Sequence, residues 1–371
     1  MRRFSLLAIL GLIPLASAVL VAQQGGAPAA PPAGVSLPPP GLSWAYGVAP
    51  DAPLPGARAG GAAAAPAGGG AAGGARAGGA PAPAPDPTLH SVPGSTLQFT
   101  RAQIGGAGNT APADWFPGDH PTMPSIVANG KGADVRACSL CHYPNGKGRP
   151  ENAGVAGLPV SYFIQTMHDF KNDLRKSGEP RKGNTNLMAN FAKNMTEDEI
   201  RQAAEYFGSM RWTPWMKVTE VQMVPKTRVA GGMYLRLDGN ETEPIGMRII
   251  ETPEFTERTE ILRDPRAGFL VYAPVGSVRK GEALVKTGGN GRTVACGSCH
   301  GADLQGMGPV PGLAGRSPSY IARQMYDIKS GARKGEWSAL MKPVVDKLTD
   351  EDYVSIAAYI ASQPAAATAT R

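Results

Sequence analysis

Cys138, Cys141 and His142 form one Cys-x-x-Cys-His run, and Cys296, Cys299 and His300 form a second. These are the chain's four cysteines, so no thiol is left over. Two thiols three positions apart, with an imidazole directly after them, suit covalent haem attachment. The thiols add across two vinyl groups as thioethers, and the imidazole turns onto the iron from the proximal side. Zinc and redox thiols compete for such a motif. A zinc site built from two Cys and one His lacks a fourth ligand, and a thioredoxin-like pair wants a βαβ setting that the sequence does not offer. The doubled motif therefore reads as two covalently bound haem c groups, with Cys138, Cys141, His142, Cys296, Cys299 and His300 as the attachment residues.

The motifs sit in a repeat. At an offset of 158, Ala156-Gly157 matches Ala314-Gly315, Ser161-Tyr162 matches Ser319-Tyr320, and Met167, Asp169 and Lys171 match Met325, Asp327 and Lys329. Past a five-residue difference the offset reads as 153. Lys176-Ser177-Gly178 then matches Lys329-Ser330-Gly331, Leu187-Met188 matches Leu340-Met341, Thr196 matches Thr349 and Tyr206 matches Tyr359. One domain plan is used twice. In each copy a loop follows the motif, then an amphipathic helix with Phe163, Met167, Phe170 and Leu174, or Ile321, Met325 and Ile328, on its apolar face. A basic, Gly-containing loop then reaches Met188 or Met341. A last helix opens with a capping box, Thr196 with Glu199 and Thr349 with Asp352. Its buried face carries Ile200, Ala203 and Phe207, or Tyr353, Ile356 and Ile360. Val278 to Lys286 reads as a short helix before the second motif, with a weaker counterpart near Ser125 to Asn129.

The second axial ligand is less directly written. No His follows His300, so the second copy needs another residue type, and a soft Met thioether suits haem iron. Met325 lies on an apolar helix face, where Met is core filling. Met307 stands too close to His300 to cross to the opposite side of the ring. Met341, and its counterpart Met188, are the expected iron ligands beside His142 and His300. His168 corresponds to Tyr326, so a bis-His first site stays open as a rival. Met195 corresponds to Leu348 and reads as core.

Cys296 to His300, Gly308 to Gly315, Ser319-Tyr320, Gly331-Ala332-Arg333, Met341 and Leu348 to Asp352 together resemble a class I cytochrome c domain of the dihaem cytochrome c4 type. The resemblance covers roughly residues 120–212 and 270–363. It implies a mainly α fold of two tandem cytochrome c domains, His/Met ligation and electron transfer. It also implies that a loop proline lends its carbonyl to the proximal imidazole. Pro311 fits that place, whereas the first copy departs from the pattern with Ala153, whose backbone carbonyl can still accept the bond, so the departure bears on the orientation of His142 more than on its ligation.

The remaining segments set the context. Met1 to Arg3 is a short basic region before an apolar run ending near Ala22, and residues 1–22 read as a signal peptide. A retained membrane anchor is the rival, and either places the rest in the periplasm or otherwise outside the cytoplasm. Between Gly25 and Thr88, 50 of 64 residues are Ala, Gly or Pro. Residues 23–112 are therefore expected to be a disordered tether and lead-in, with Trp44 and Tyr46 exposed. Residues 113–212 are the first cytochrome c domain, 213–268 a connecting insert with short strands at Lys217–Val221, Met233–Leu237 and Met247–Glu251, and 269–365 the second domain. The net charge of +7 is spread among interspersed acids and bases, which gives nucleic-acid binding no support. Lys176, Arg181 and Lys182, and Lys329, Arg333 and Lys334, read as solvated surface or as steering for an acidic redox partner.

The expected function is a non-catalytic dihaem electron carrier between periplasmic or membrane-bound redox proteins. The alternatives are the electron-accepting subunit of an exported dehydrogenase or oxidase complex, and a dihaem peroxidase. The last needs an open distal site, against which the paired methionines argue.

Overall fold

The computed structural model describes residues 37–49, 52–54, 86–107, 111–213 and 215–364. The expected signal peptide and most of the Ala/Gly/Pro stretch lie outside them. Among the described residues no helix is long and apolar enough to cross a membrane.

Two helical units flank a β insert. A lead-in hairpin, β1 (Leu89–His90) with β2 (Phe99–Thr100), runs into the short α1 (Arg101–Ile104). The first unit contains α2 (Ser125–Ala128), the small β3 (Gly130–Lys131) and β4 (Val135–Arg136), α3 (Cys138–His142), α4 (Val160–Lys171), α5 (Gly183–Asn194) and α6 (Glu197–Gly208). The second contains α7 (Ser277–Thr287), α8 (Gly297–His300), α9 (Pro318–Lys329), α10 (Lys342–Val345) and α11 (Asp350–Ser362).

Local chemistry explains the main helices. Both capping boxes form: Thr196 and Glu199 at α6, and Thr349 and Asp352 at α11, exchange side-chain and backbone bonds across the first turn. The expected apolar faces are buried, with Phe163, Met167 and Phe170 on α4 and Ile200, Ala203 and Phe207 on α6. In the second unit α11 crosses α7 at Gly281, where a Cβ would meet the Ser355 carbonyl oxygen at 1.9 Å. Only glycine lets the two backbones come that close.

The insert holds β5 (Met216–Val221), β6 (Met223–Pro225), β7 (Thr227–Ala230), β8 (Met233–Arg236), β9 (Thr242–Pro244), β10 (Ile250–Pro253) and β11 (Phe269–Pro274). β11 is central to a three-stranded sheet, antiparallel to β10 and parallel to β5. Its alternate residues Phe269, Val271 and Ala273 are buried, as a half-buried strand requires. They join one core with Ile321, Ile328, Tyr353 and Ile356 of the second unit. The strand expected at Met247–Glu251 starts later, at Ile250.

The repeat is visible in the backbone. Tyr143 and Gly301, Gly146 and Leu304, Gly148 and Gly306, Gly157 and Gly315, and Asp173 and Gly331 all share positive φ at an offset of 158. The Asp173–Gly331 pair moves the length difference to a later point than the sequence alignment put it. So does a reciprocal bridge between the units: Lys176 N donates to Ala332 O, and Lys334 N to Leu174 O, each at 2.8 Å. Lys176 is therefore the counterpart of Lys334, not of Lys329.

Side chains cross the same junction. Arg175 donates to the Tyr320 hydroxyl at 3.2 Å and to Gln324 Oε1 at 2.8 Å. Arg333 donates to the Tyr162 hydroxyl at 3.0 Å and to Gln324 Oε1 at 3.0 Å. Arg333 and Lys182, expected on the solvated surface, are buried: Arg333 reaches the first unit at Tyr162, and Lys182 lies under the segment that carries Tyr46.

The tether expectation also needs correction. Pro40–Tyr46 forms a 3-10 turn with Leu42, Trp44, Ala45 and Tyr46 buried. The Tyr46 hydroxyl donates to Asp327 Oδ1 at 2.8 Å, Arg323 donates to Ala45 O at 2.5 Å and Lys182 to Tyr46 O at 3.3 Å. The Tyr234 hydroxyl donates to Trp44 O at 3.1 Å. This strap thus touches both units and the insert. Its composition is unremarkable, but a cleft formed by distant residues gives its aromatics somewhere to bury.

Candidate haem-binding sites

Each Cys-x-x-Cys-His run sits on a short helix that ends in a left-handed residue, Tyr143 after α3 and Gly301 after α8. That reversal turns the chain into a loop closed by matching backbone bonds, Gly148 N to His142 O at 2.8 Å and Gly306 N to His300 O at 2.7 Å. The loop then brings a carbonyl onto each imidazole. His142 Nδ1 meets Ala153 O, and His300 Nδ1 meets Pro311 O, both at 2.8 Å. A carbonyl only accepts, so Nδ1 carries the proton and Nε2 keeps a free lone pair for a metal. Burial pushes both imidazoles below their ordinary pKa, and the carbonyls act in the opposite direction. Ala153 accordingly does what Pro311 does, as a backbone acceptor should.

The thiols are unbonded to each other. Burial pushes Cys138 up to about 12 and Cys296 up to about 11. Among the described residues no group of three or more His, Cys, Asp or Glu side chains converges with metal-holding geometry.

A solvent-open cleft of about 800 Å³, counting the solvent in its mouth, lies against the first motif. His142 and Met188 both line it. Val155, Leu158, Phe163, Met167 and Phe170 supply an apolar wall, while Arg175, Lys176, Lys182, Asn184 and Thr185 form a polar part. Tyr320, Arg323, Gln324 and Asp327 reach it from the second unit. Such a lining fits a flat apolar macrocycle with acidic substituents, to whose metal His142 would offer a nitrogen and Met188 a thioether. Burial raises the Tyr162 hydroxyl, yet Arg333 and Arg175 outweigh it and bring this cavity residue down to about 8.

Met188 does not end a loop, as the sequence suggested. It sits mid-helix in α5, half-buried beside the first core. Met341 ends a 3-10 turn, Glu336–Met341, and packs against the second core. The rivals lie elsewhere. His168 Nε2 is bonded to Glu197 at 2.7 Å on the surface, Met195 and Met325 are core, and Met307 is 57 % exposed. Sequence reasoning missed Tyr162, Arg175 and Arg323 as cavity residues. The matched Ser-Tyr pairs were the available signal for Tyr162; for the two arginines there was none.

The family model for cytochrome c matches residues 278–364, the second unit. Cytochrome c-554(548) of Halomonas halodenitrificans is 42% identical over 76 residues, 20% of this chain and 92% of that protein. Cytochrome c4 of Pseudomonas aeruginosa is 42% identical over 76 residues, of whose own length the chain spans 36%. A thiosulfate dehydrogenase electron acceptor of Thiomonas intermedia is 24% identical over 235 residues, 62% of this chain and 80% of that protein. With a relative covered almost end to end at 42% identity, the chain belongs to the cytochrome c family.

Proposed function

We propose that the chain is an exported, non-catalytic dihaem electron carrier. One haem c is held by Cys138, Cys141, His142 and Met188, the other by Cys296, Cys299, His300 and Met341. Residues 113–212 and 269–365 are the two haem domains and 213–268 the insert between them. The observation that carries the reading is the duplicated imidazole–carbonyl pair, His142 with Ala153 and His300 with Pro311, each at 2.8 Å. When bound, haem iron supplies a one-electron ferric–ferrous couple.

The chain's residues orient and shield that couple. The Ala153 and Pro311 carbonyls hold the ring tautomers that leave Nε2 free. The apolar wall around Phe163, Met167 and Phe170 excludes water, and a dry setting tunes the potential. Arg175, Lys176, Asn184 and Thr185 suit the carboxylates of the first haem. Met188 and Met341 offer thioethers, which favour a higher potential than a second imidazole would.

A redox titration of the purified protein with optical spectra tests this. Two one-electron steps and a mass excess of two haems are expected. Met188→Ala and Met341→Ala should each lower the potential of one haem and leave its attachment intact. A colourless protein, or unchanged spectra and potentials in both variants, refutes the assignment.

A second reading is that the chain serves as the electron-accepting component of an exported oxidoreductase assembly. The match to the Thiomonas intermedia acceptor favours it, because that match extends over 62% of the chain rather than one haem unit. Co-purification with a larger oxidoreductase separates this from a freely diffusing carrier.

A further inference from the structure

The two motifs are built alike but surrounded differently, and the difference comes from the insert. Its segment after the π-helical turn Glu257–Ile261 docks on the first motif's loop. Trp115 Nε1 donates to Leu262 O at 2.8 Å, and Asn145 Nδ2 to Pro265 O at 3.2 Å. Between these anchors Arg263 donates to the Leu140 carbonyl, inside the Cys-x-x-Cys-His helix itself. That carbonyl is among those a short helix leaves without an internal partner. The Arg263 guanidinium also lies over the Tyr143 ring, 5.6 Å from its centroid.

Two strained residues meet there. Arg263 has φ +53° and Tyr143 has φ +63°, a region that costs non-glycine residues roughly 1 kcal/mol or more. The second unit uses Gly301 where the first uses Tyr143. A buried tyrosine in a glycine's conformation is explained by what it meets: the ring is the platform for Arg263. The Arg263 loop is braced independently. Arg258 binds the buried Asp264 at 2.6 Å, and Arg266 N donates to the same carboxylate at 2.8 Å.

The charges do not cancel. Arg149 pairs with the buried Glu151, and Arg258 pairs with Asp264. Among the described residues no carboxylate lies within ion-pair distance of Arg263. Its partners are a carbonyl and a ring, and it interacts electrostatically with Cys141, Arg149 and Glu151. At the corresponding places the second unit has Gly301, Met307 and Pro309, and Cys299 is exposed.

We propose that Arg263, supplied by the insert, is a positioning residue of the first haem site whose fixed charge raises the potential of the first haem but not of the second. It holds the attachment helix through Leu140, and a half-buried cation disfavours the more positive ferric state. The insert is then an electrostatic element that makes two sibling sites unequal, so that the shared electron resides more on the first haem than it otherwise would.

The inference rests on the proposed two-haem function, and the test separates them. Wild-type protein carrying fewer than two haems overturns that function before any variant is made. In the full-length, haem-loaded protein, Arg263→Met and Arg263→Lys are compared by redox titration. The first haem is identified as the one missing from a Cys138→Ala, Cys141→Ala variant. Arg263→Met should reduce the equilibrium constant favouring the first haem about tenfold, about 59 mV for one electron. The second haem should be unmoved, and Arg263→Lys should keep most of the difference. Equal shifts of both haems, no shift, or lysine behaving like methionine overturns the proposal. Loss of the first haem from either variant also overturns it, by making Arg263 a purely structural residue.

Discussion

Among the bonds that dock the strap, the one from the Tyr46 hydroxyl to Asp327 is buried and joins two side chains, and Tyr46→Phe removes it while keeping the ring. Tyr46 is 1 % exposed and Asp327 5 %. The hydroxyl donates to Asp327 Oδ1 at 2.8 Å, beside a second donor, Gly178 N, also at 2.8 Å. A hydrogen bond to a charged acceptor is worth about 1.5–3 kcal/mol, so a loss of about 2 kcal/mol is expected near neutral pH. Burial raises the Asp327 carboxyl, while Gly178, Tyr46, Arg323 and Arg175 pull it back down. Lys182 also faces this carboxylate. A carboxyl raised on folding binds protons more readily in the folded state. It therefore gains stability as pH falls through its folded pKa and loses it as pH rises. Without the Tyr46 hydroxyl that pKa rises further. The penalty of Tyr46→Phe should thus be largest near neutral pH and fall toward about 1 kcal/mol, the worth of a neutral bond, once Asp327 is protonated. Denaturant unfolding of wild type, Tyr46→Phe, Asp327→Asn and the double variant, at neutral and acidic pH, measures this. Non-additivity of about 1–2 kcal/mol is expected at neutral pH. Additivity within about 0.5 kcal/mol, or a penalty that grows on acidification, refutes the reasoning.

Two further outcomes follow from local geometry. Gly281→Ala should destabilise the second unit by about 1–3 kcal/mol in thermal unfolding, despite alanine's better helix propensity, because its Cβ would strike the Ser355 carbonyl across the α7–α11 crossing. Thr196→Ala and Thr349→Ala should each cost about 1 kcal/mol by loss of a capping box, read as faster amide exchange in the first turns of α6 and α11 respectively.

Residues acting on near neighbours were legible in the chain. The capping boxes span three positions and the helix faces repeat every three or four, so Thr196, Ile200 and Phe207 could be placed without a partner in view. Helix α5 was not legible, because Gly183-Asn-Thr-Asn is a poor helix start; the helix is held by its packing on α4, with Ala192 buried. The basic residues misled for a related reason. Arg333 looks like a solvated loop charge until the first unit supplies the Tyr162 hydroxyl as its acceptor.

The two Cys-x-x-Cys-His motifs, the doubling of the plan around them and the choice of His142 and His300 as candidate ligands rest on the order and spacing of residues, and the amino-acid order alone determined them. What surrounds those imidazoles was decided only by folding. Tyr46 meets Asp327 across 281 positions, and Arg263 meets Leu140 across 123. Burial and electrostatic field are properties of neighbours in space, and no local pattern in the chain records which distant residues those neighbours will be.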